Sequence, residues 1–581
     1  MIVLVIKMYI RINKNGTKTD SNVYLVQGYR DAKGNVKHRT LVNYGSLNKL
    51  QATEPNVLER LKKEAKIMTA EQMINLNIST VTSNEHSDEE LIYGHFPLES
   101  IYNSLNIPSF IKGQSKDRKF NYDPNEVFKL LVLSRILNPD SKLGTYEERN
   151  RYFDSFKDLK LQNIYRSLNF FNDFKEDLQF HLHNEISKQY GRDVSLVFYD
   201  VTNYYFETEL PDEDIIDNIT GEVIEYGLRQ KGVSKEHRPE PIVSMGLLID
   251  NNGIPIGYKL FKGNTHDSKT LIPILNEIKA KYGLKRIILT ADKGLNSREN
   301  LGYLKQQGDG YIVSQQIRRS KKEFMDEITN TEGYVYLNSD FKYKLITRER
   351  EILNLDKTTQ MVKEKVVIFW SKKYSDREKH KREKLREKLD NMINNPSKYK
   401  ASNRYGLKKY LKEVKVDKAT GEITKDQIKL IFDEEKYKRD EALDGYYAII
   451  TSELDLSAEE IIERYRGLWR IEESFRITKT DLEGRPVYVW THDHIEAHFL
   501  TCFVSLTILR ILQFKLKFKY SVEQIVDNLN KAKCIHIEQG VYILTKQPKL
   551  LQEILEIHGI EINKKYVIYE QLKKIKKKNF R

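Results

Sequence analysis

The chain changes its hydrophobic rhythm several times along its length. Within residues 1 to about 50, the segments MYIRI, NVYLVQGYR and HRTLVNYG alternate apolar and polar positions. That is the period of half-buried strands. The NKNG and DAKG segments between them carry hairpin-turn residues, so 1–50 reads as a small N-terminal β unit. From 51 to about 190 the spacing becomes helical. Asp123, Pro124 and Glu126 supply a cap, a first-turn proline and an acid ahead of EVFKLLVLSRIL, which stops at Asn138-Pro139. With its interspersed Lys and Arg, 51–190 is expected to be a helical DNA-binding domain of helix-turn-helix type. A purely packing role for those helices is the plainer alternative.

Beyond 190 the order of elements becomes informative. SLVFYD reads as an apolar strand ending in Asp200. IVSMGLLID, the turn Asn251-Asn252-Gly253 and IPIGYKLFKG predict a hairpin. A helix over 268–282 follows, apolar at Leu271, Ile272, Ile274, Leu275 and Ile278. RIILTAD is a second apolar strand, ending in Asp292, and a short helix and the strand GYIVSQ complete the set. Three strands, helix, strand, helix, strand is the order of an α/β ribonuclease H-like fold. In that fold the first and fourth strands are neighbours, so Asp200 and Asp292 are expected to converge.

This first part of the core, 191–317, is followed by an expected insertion at 318–455. There YVYLNSDFKYKLITRE, EKVVIFW and GYYAIITS surround the charged stretch KKYSDREKHKREKLREKLD, which predicts a mainly β subdomain with one exposed basic helix. Ser457 and two glutamates open a helix expected over roughly 457–480, completing the core within 456–515. Residues 516–581 read as helical and basic, with Lys573, Lys574, Lys576, Lys577 and Lys578 in a solvated tail.

Composition narrows the partner. Among 581 residues, 97 Lys and Arg against 83 Asp and Glu leave a net charge of +14. The isoelectric point near 9.1 favours a polyanion. Cys502 and Cys534 are the only cysteines, which excludes a disulfide framework and a four-cysteine zinc site. The longest apolar run, 499–509, falls short of the ~20 residues that cross a bilayer, and MIVLVIK is too short for a signal-peptide core. The expectation is a cytoplasmic, nucleoid-associated protein with no membrane partner.

Phosphodiester cleavage at neutral pH needs an activated water and a stabilised leaving oxygen. Two hard divalent cations supply both and call for clustered carboxylates. Asp200 and Asp292 are two such acids. A third comes from YRGLWRIEESFRITK, where Tyr465, Leu468, Glu472, Phe475 and Lys479 form one helical stripe. A carboxylate amid apolar and aromatic neighbours is costly unless paired or metal-bound. Alternatively, Glu472 and Glu473 simply pair with Arg470, Arg476 or Lys479 across a turn.

The same stretch resembles the Y-x2-R-x3-E-x6-K signature of bacterial insertion-sequence DDE transposases with a β insertion in a ribonuclease H-like core. Tyr465, Glu472 and Lys479 match its spacing. Leu468 stands where that signature has arginine, and Arg466 or Arg470 is adjacent to supply the charge. Asp200-Val201-Thr202, the ADKG around Asp292, and Gly263, Asn264, Thr265 and Asp267 of GNTxD add to the resemblance.

The resemblance implies catalytic and metal-binding roles for Asp200, Asp292 and Glu472, with Mg²⁺ as cofactor and Mn²⁺ able to substitute. Glu473 is the rival for the third place. It also implies DNA contacts at Tyr465 and Lys479; Arg470, Arg476, Lys235 and Arg238, with Lys231, are further candidates. The partners would be double-stranded DNA, both the element's inverted repeats and the target, bound by a homodimer. The reaction would cut the ends and join 3′ hydroxyls to target DNA. Competing readings are a metal-dependent nuclease that does not join, a domesticated DNA-binding copy without catalysis, and a basic RNA scaffold. Trp469 is expected in the core. The i, i+4 pair His494 and His498 suits packing or DNA contact better than zinc, because no third ligand is evident.

Overall fold

The computed structural model describes residues 4–14, 20–30, 36–70, 90–394, 410–416, 423–538, 541–545, 547–562 and 564–578. Two compact units form. One comprises the first 90 residues with 535–543 and 566–569. Its strands β1 (Leu4–Lys14), β2 (Ser21–Arg30) and β3 (Val36–Ser46) make an antiparallel sheet in that order. The expected hairpin turns NKNG and DAKG lie largely outside the described residues. Ser46 caps α1 (Leu47–Thr53) by accepting the Lys49 N–H. Helix α2 (Val57–Ala70) closes this core by packing Val57 and Leu61 with Val23.

The larger unit holds the chemistry. After β4 (Glu90–Ile92) come α3 (Phe96–Ser104), α4 (Ile107–Gln114), α5 (Pro124–Leu137), α6 (Lys142–Glu147), α7 (Leu161–Asp173) and α8 (Lys175–Tyr190). Helix α5 begins where expected, with the Asp123 carboxylate accepting the Asn125 N–H at 2.9 Å. The sheet region then runs β5 (Leu196–Tyr205), β6 (Ile215–Ile216), β7 (Val223–Glu225), β8 (Ile242–Ile249), β9 (Pro255–Lys262), α9 (Leu271–Tyr282), β10 (Ile288–Ala291), α10 (Arg298–Gln306) and β11 (Gly310–Gln315). Gly253, at φ +79°, makes the β8–β9 turn that a side chain would strain.

The strands of the expected insertion do not form a sheet of their own. After α11 (Lys322–Thr329), strands β12 (Val335–Asn338), β13 (Phe341–Leu353) and β14 (Thr359–Ser371) reach the central sheet through β17 (Tyr446–Thr451). The nine-stranded order is β12-β13-β14-β17-β11-β10-β5-β8-β9. Only α12 (Lys372–Asn394), the pair β15 (Leu411–Val416) and β16 (Ile423–Phe432), and α13 (Glu434–Ala442) stand apart from it. The sheet grows because Val366, Val367 and Ile368 of β14 pair with the equally apolar Ile450, Ile449 and Ala448 of β17.

Within the centre, β5 pairs parallel to β10 and antiparallel to β8. Both faces of β5 are covered, which explains its nearly unbroken apolar sequence. Val197, Tyr199 and Val201 meet Leu271, Ile274 and Leu275 of α9 and Leu301 and Leu304 of α10. The opposite face carries Phe198, Asp200, Thr202 and Tyr204. Contrary to expectation, β5 does not end at Asp200, because VTNYY continues the extended pattern along β8 to Tyr205.

The helix expected over 457–480 is broken. A capping box of Ser457 and Glu460 starts α14 (Ala458–Arg466), which stops at Gly467. Helix α15 (Trp469–Arg476) follows and widens into a π-helical turn, Ile477–Asp481. Next is α16 (His492–Lys515), apolar and long enough to cross a membrane, yet its apolar window is entirely buried. Helices α3, α5 and α7 pack around it. The C-terminal region is mixed rather than helical: α17 (Val522–Asn530), β18 (Lys533–Glu538), β19 (Val541–Leu544), α18 (Lys549–Glu556), β20 (Tyr566–Ile568) and α19 (Tyr569–Lys578). Nor is the lysine-rich end a solvated tail, since Lys576 is buried and donates to Asp154 O and Ser155 Oγ, both at 2.8 Å.

Gly467 sits where α14 and α15 approach β5 most closely. A Cβ there would meet Phe198 Cζ at 2.6 Å, although its φ of −55° suits any residue. Gly467→Ala should therefore act by overpacking, at a cost of about 1–3 kcal/mol. Gly113→Ala, with nothing within 4 Å of the new Cβ, should be neutral or slightly stabilising. Thermal melts of the two variants check this; equal midpoints would contradict it.

Candidate active site

The β5–β10 register brings two aspartates together. Ile288, Leu289 and Thr290 lie opposite Leu196, Val197 and Phe198. Continued two residues further, that register sets Asp292 level with Asp200. Burial pushes the Asp200 carboxyl up to about 6. Lys235 and the Val201 N–H oppose that rise, while the like charges of Asp292 and Asp267 add to it. The Lys235 ammonium donates to Val201 O and lies 3.9 Å from Asp267. Asp267 belongs to the GNTxD segment, whose part in this cluster the sequence did not disclose.

Asp292 is held from the other side. The β10–β11 register pairs Ala291 with Val313, and the next residue, Ser314, donates its hydroxyl to Asp292 Oδ1 at 2.8 Å. Ser314 is also within hydrogen-bond reach of Tyr465. Burial holds the Tyr465 phenol well above its ordinary value, and Asp292 and Glu472 both act on it electrostatically. Tyr465 thus links the β-strand acids to the helix acid. No local pattern marks Ser314, whose place follows from strand register alone.

The two adjacent glutamates of α15 have different surroundings. Glu473 is engaged by Arg476 at 2.8 and 2.9 Å, which holds its carboxyl below the usual range. Glu472 is exposed, and among the described residues its carboxylate has no hydrogen-bond or ion-pair partner. It lies in the electrostatic field of Tyr465 together with Asp292.

The cations sort in the same way. Burial and neighbouring Lys235 lower the Lys479 ammonium to about 8, against the pull of Asp200. Lys479 also lies 3.4 Å from Glu236, which pairs with Arg485 as well. Arg238 stacks on Tyr205 at 4.0 Å. Lys235 and Lys479 therefore stand at the Asp200 end, and Glu236 and Arg485 are participants that sequence reasoning missed.

Arg470 and Arg476 do not join this group. Arg476 pairs with Glu473 and, at 3.2 Å, with Asp481. Arg470 lies over Phe198 and feels Asp250, and its carbonyl accepts from the buried Arg510. Trp469, expected in the core, is 52% exposed. His498 is buried, donating from Nε2 to Gly484 O at 3.2 Å and packing on Phe499. Among the described residues, no three of His, Cys, Asp and Glu are gathered closely enough to form a metal-binding group.

Residues 229–508 match the family model of the transposase DDE domain, a stretch that includes Asp292, Tyr465, Glu472 and Lys479. The chain therefore carries a DDE transposase domain. More particularly, residues 9–74 match the N-terminal domain of IS1634 family transposases, so the N-terminal sheet and its helices are of an insertion-sequence type. No curated protein matches the sequence. Among solved structures, the chain is similar to piggyBac transposase in a synaptic complex with hairpin DNA. That match has 8% identity and a TM-score of 0.33, covering 83% of this chain and 84% of the other. It is also similar to Mos1 transposase in a paired-end complex with the left transposon end. There the identity is 14% and the TM-score 0.14, covering 34% of this chain and 60% of the other.

The strain on Asp200 has a readable sign. Its folded pKa is raised, so its contribution to stability is fully present below about pH 4 and is lost as pH rises through about 6. The difference from 3.8 corresponds to about 3 kcal/mol. In the presence of a chelator, Asp200→Asn should melt higher than wild type at pH 8 and show little advantage at pH 4. An advantage independent of pH would contradict the assignment.

Proposed function

We propose that the chain is an active DNA transposase whose ribonuclease H-like core cuts transposon ends and joins them to target DNA. The carrying observation is the level placement of Asp200 and Asp292 on paired parallel strands inside a DDE domain. The unengaged Glu472 carboxylate on the helix across from them supports the triad, and Glu473 is already neutralised by Arg476. The strand order β9-β8-β5-β10-β11 supports the ribonuclease H-like reading.

Asp200, Asp292 and Glu472 would hold the divalent cations. Their hard carboxylate oxygens, and the raised Asp200 pKa beside two like charges, fit Mg²⁺ or Mn²⁺. When bound, such ions activate the attacking water or 3′ hydroxyl and offset charge on the leaving oxygen. Lys479, partly desolvated beside Asp200, is set to hold a backbone phosphate as a point charge. Lys235 braces the β5 backbone beside Asp200 through Val201 O. Ser314 fixes the Asp292 rotamer, and Tyr465 bridges it toward Glu472. The +14 net charge supports DNA as the partner, and two protomers would bridge two ends.

Asp200→Ala, Asp292→Ala and Glu472→Ala should each abolish metal-dependent cleavage of DNA bearing the element's ends while end binding persists. Glu473→Ala should still cut. A gel assay following cleavage and strand transfer reads both. Retained cleavage in any of the first three contradicts the triad, and cleavage without joining in the wild type favours a nuclease.

A further inference from the structure

A cavity of about 170 Å³ lies beside the cluster just described, lined by residues that include Arg135, Lys142, Arg485, Tyr488 and His498. Its buried walls are cationic. Lys142 is only 4% exposed, and its ammonium has no hydrogen-bond partner. Arg135, 6% exposed, donates to neutral carbonyls alone: Asp140 O at 2.8 Å, Leu482 O at 3.3 Å and Glu483 O at 3.4 Å. Its Nε is also buried without a partner. The cavity's two acids, Asp140 and Glu483, are exposed residues. Neither is among the charges that act on Lys142, which feels burial, Arg135 and Cys502.

Two buried cations without a buried counter-charge are expensive, because desolvation is not repaid by any ion pair. Burial accordingly lowers the Lys142 ammonium to about 7. His498 is depressed by the same two cations after burial itself. An anion in the cavity would restore the balance and supply the acceptor that Lys142 lacks.

We propose that this cavity is a phosphate-binding site, with Lys142 as its principal donor and Arg135 as its supporting charge. Arg485 forms part of the cavity lining and also pairs with Glu236, the partner of Lys479. The cavity is thereby joined to the Asp200 end of the sheet. The phosphate is either a backbone group of DNA or free inorganic phosphate; the same donors suit both.

The test uses the full-length protein with a chelator present. Inorganic phosphate, against chloride at matched ionic strength, should raise the wild-type melting midpoint by about 2 °C or more. Lys142→Met should lose that increment and melt above wild type in chloride, because its uncompensated charge is gone. Equal increments in both proteins would overturn the site. A variant-free measurement covers the case in which Lys142→Met fails to fold. Limited acetylation of wild-type Lys142 at pH 7, read by mass spectrometry, should be slowed several-fold by phosphate, and an unchanged rate overturns the proposal. Protection by duplex DNA in phosphate-free buffer identifies a backbone phosphate as the occupant, and protection by inorganic phosphate alone identifies the free ion. No arm reads DNA cleavage, so failure here is separable from failure of the catalytic assignment.

Discussion

The parallel pairing of β5 with β10 is the constraint on which the site depends. Hydrogen bonds between these strands fix their register, and the register carries Asp292 to the level of Asp200. The fold thereby holds two carboxylates near each other where burial already disfavours charge on Asp200. Ser314, from the next strand in the same sheet, locks one of them. The apolar content of these strands is what permits this placement. Covered on both faces by α9, α10 and the later helices, the sheet has little freedom to relax the repulsion by moving.

The helical side is organised as two electrostatic neighbourhoods. Around the strand acids stand Tyr465, Glu472, Lys479 and Lys235, whose charges act on Asp200 and Asp292. A second set gathers Glu473, Arg476, Arg470 and Arg510 near Asp250. Buried Arg510 bonds Gly253 O and Arg470 O, tying the β8–β9 turn to α15. Gly467 permits the close approach to Phe198 that this arrangement needs. Glu472 and Glu473 are separated in role because one residue is a rotation of about 100° on a helix. One carboxylate is left unengaged as a result, while the other is neutralised.

Much of this was legible in the sequence, for identifiable reasons. Apolar runs located β5, β8, β9, β10 and β11, and the Asn251-Asn252-Gly253 turn announced its hairpin. Asp123 and Ser457 marked helix starts because capping is a local interaction. What escaped was non-local. The extent of β5 beyond Asp200 depends on its pairing with β8, and the union of β14 with the central sheet depends on β17. Trp469 looked like core by residue type, yet its helix turns it outward. The place of Ser314 follows from register, and those of Asp267, Glu236 and Lys576 from contacts across long separations, none of which periodicity encodes. Arg470 and Arg476 were charged candidates of the right type that are occupied elsewhere by Arg510, Glu473 and Asp481.

The central claim is that Asp200, Asp292 and Glu472 share bound metal. Loading the full-length protein with Fe²⁺ in place of Mg²⁺ and adding ascorbate and peroxide generates radicals that cut the polypeptide next to the ion. The account predicts backbone cuts clustered near residues 200, 292 and 472, all suppressed by excess Mg²⁺. Cuts near 200 and 292 with none near 472, or cuts elsewhere that Mg²⁺ does not suppress, would contradict it.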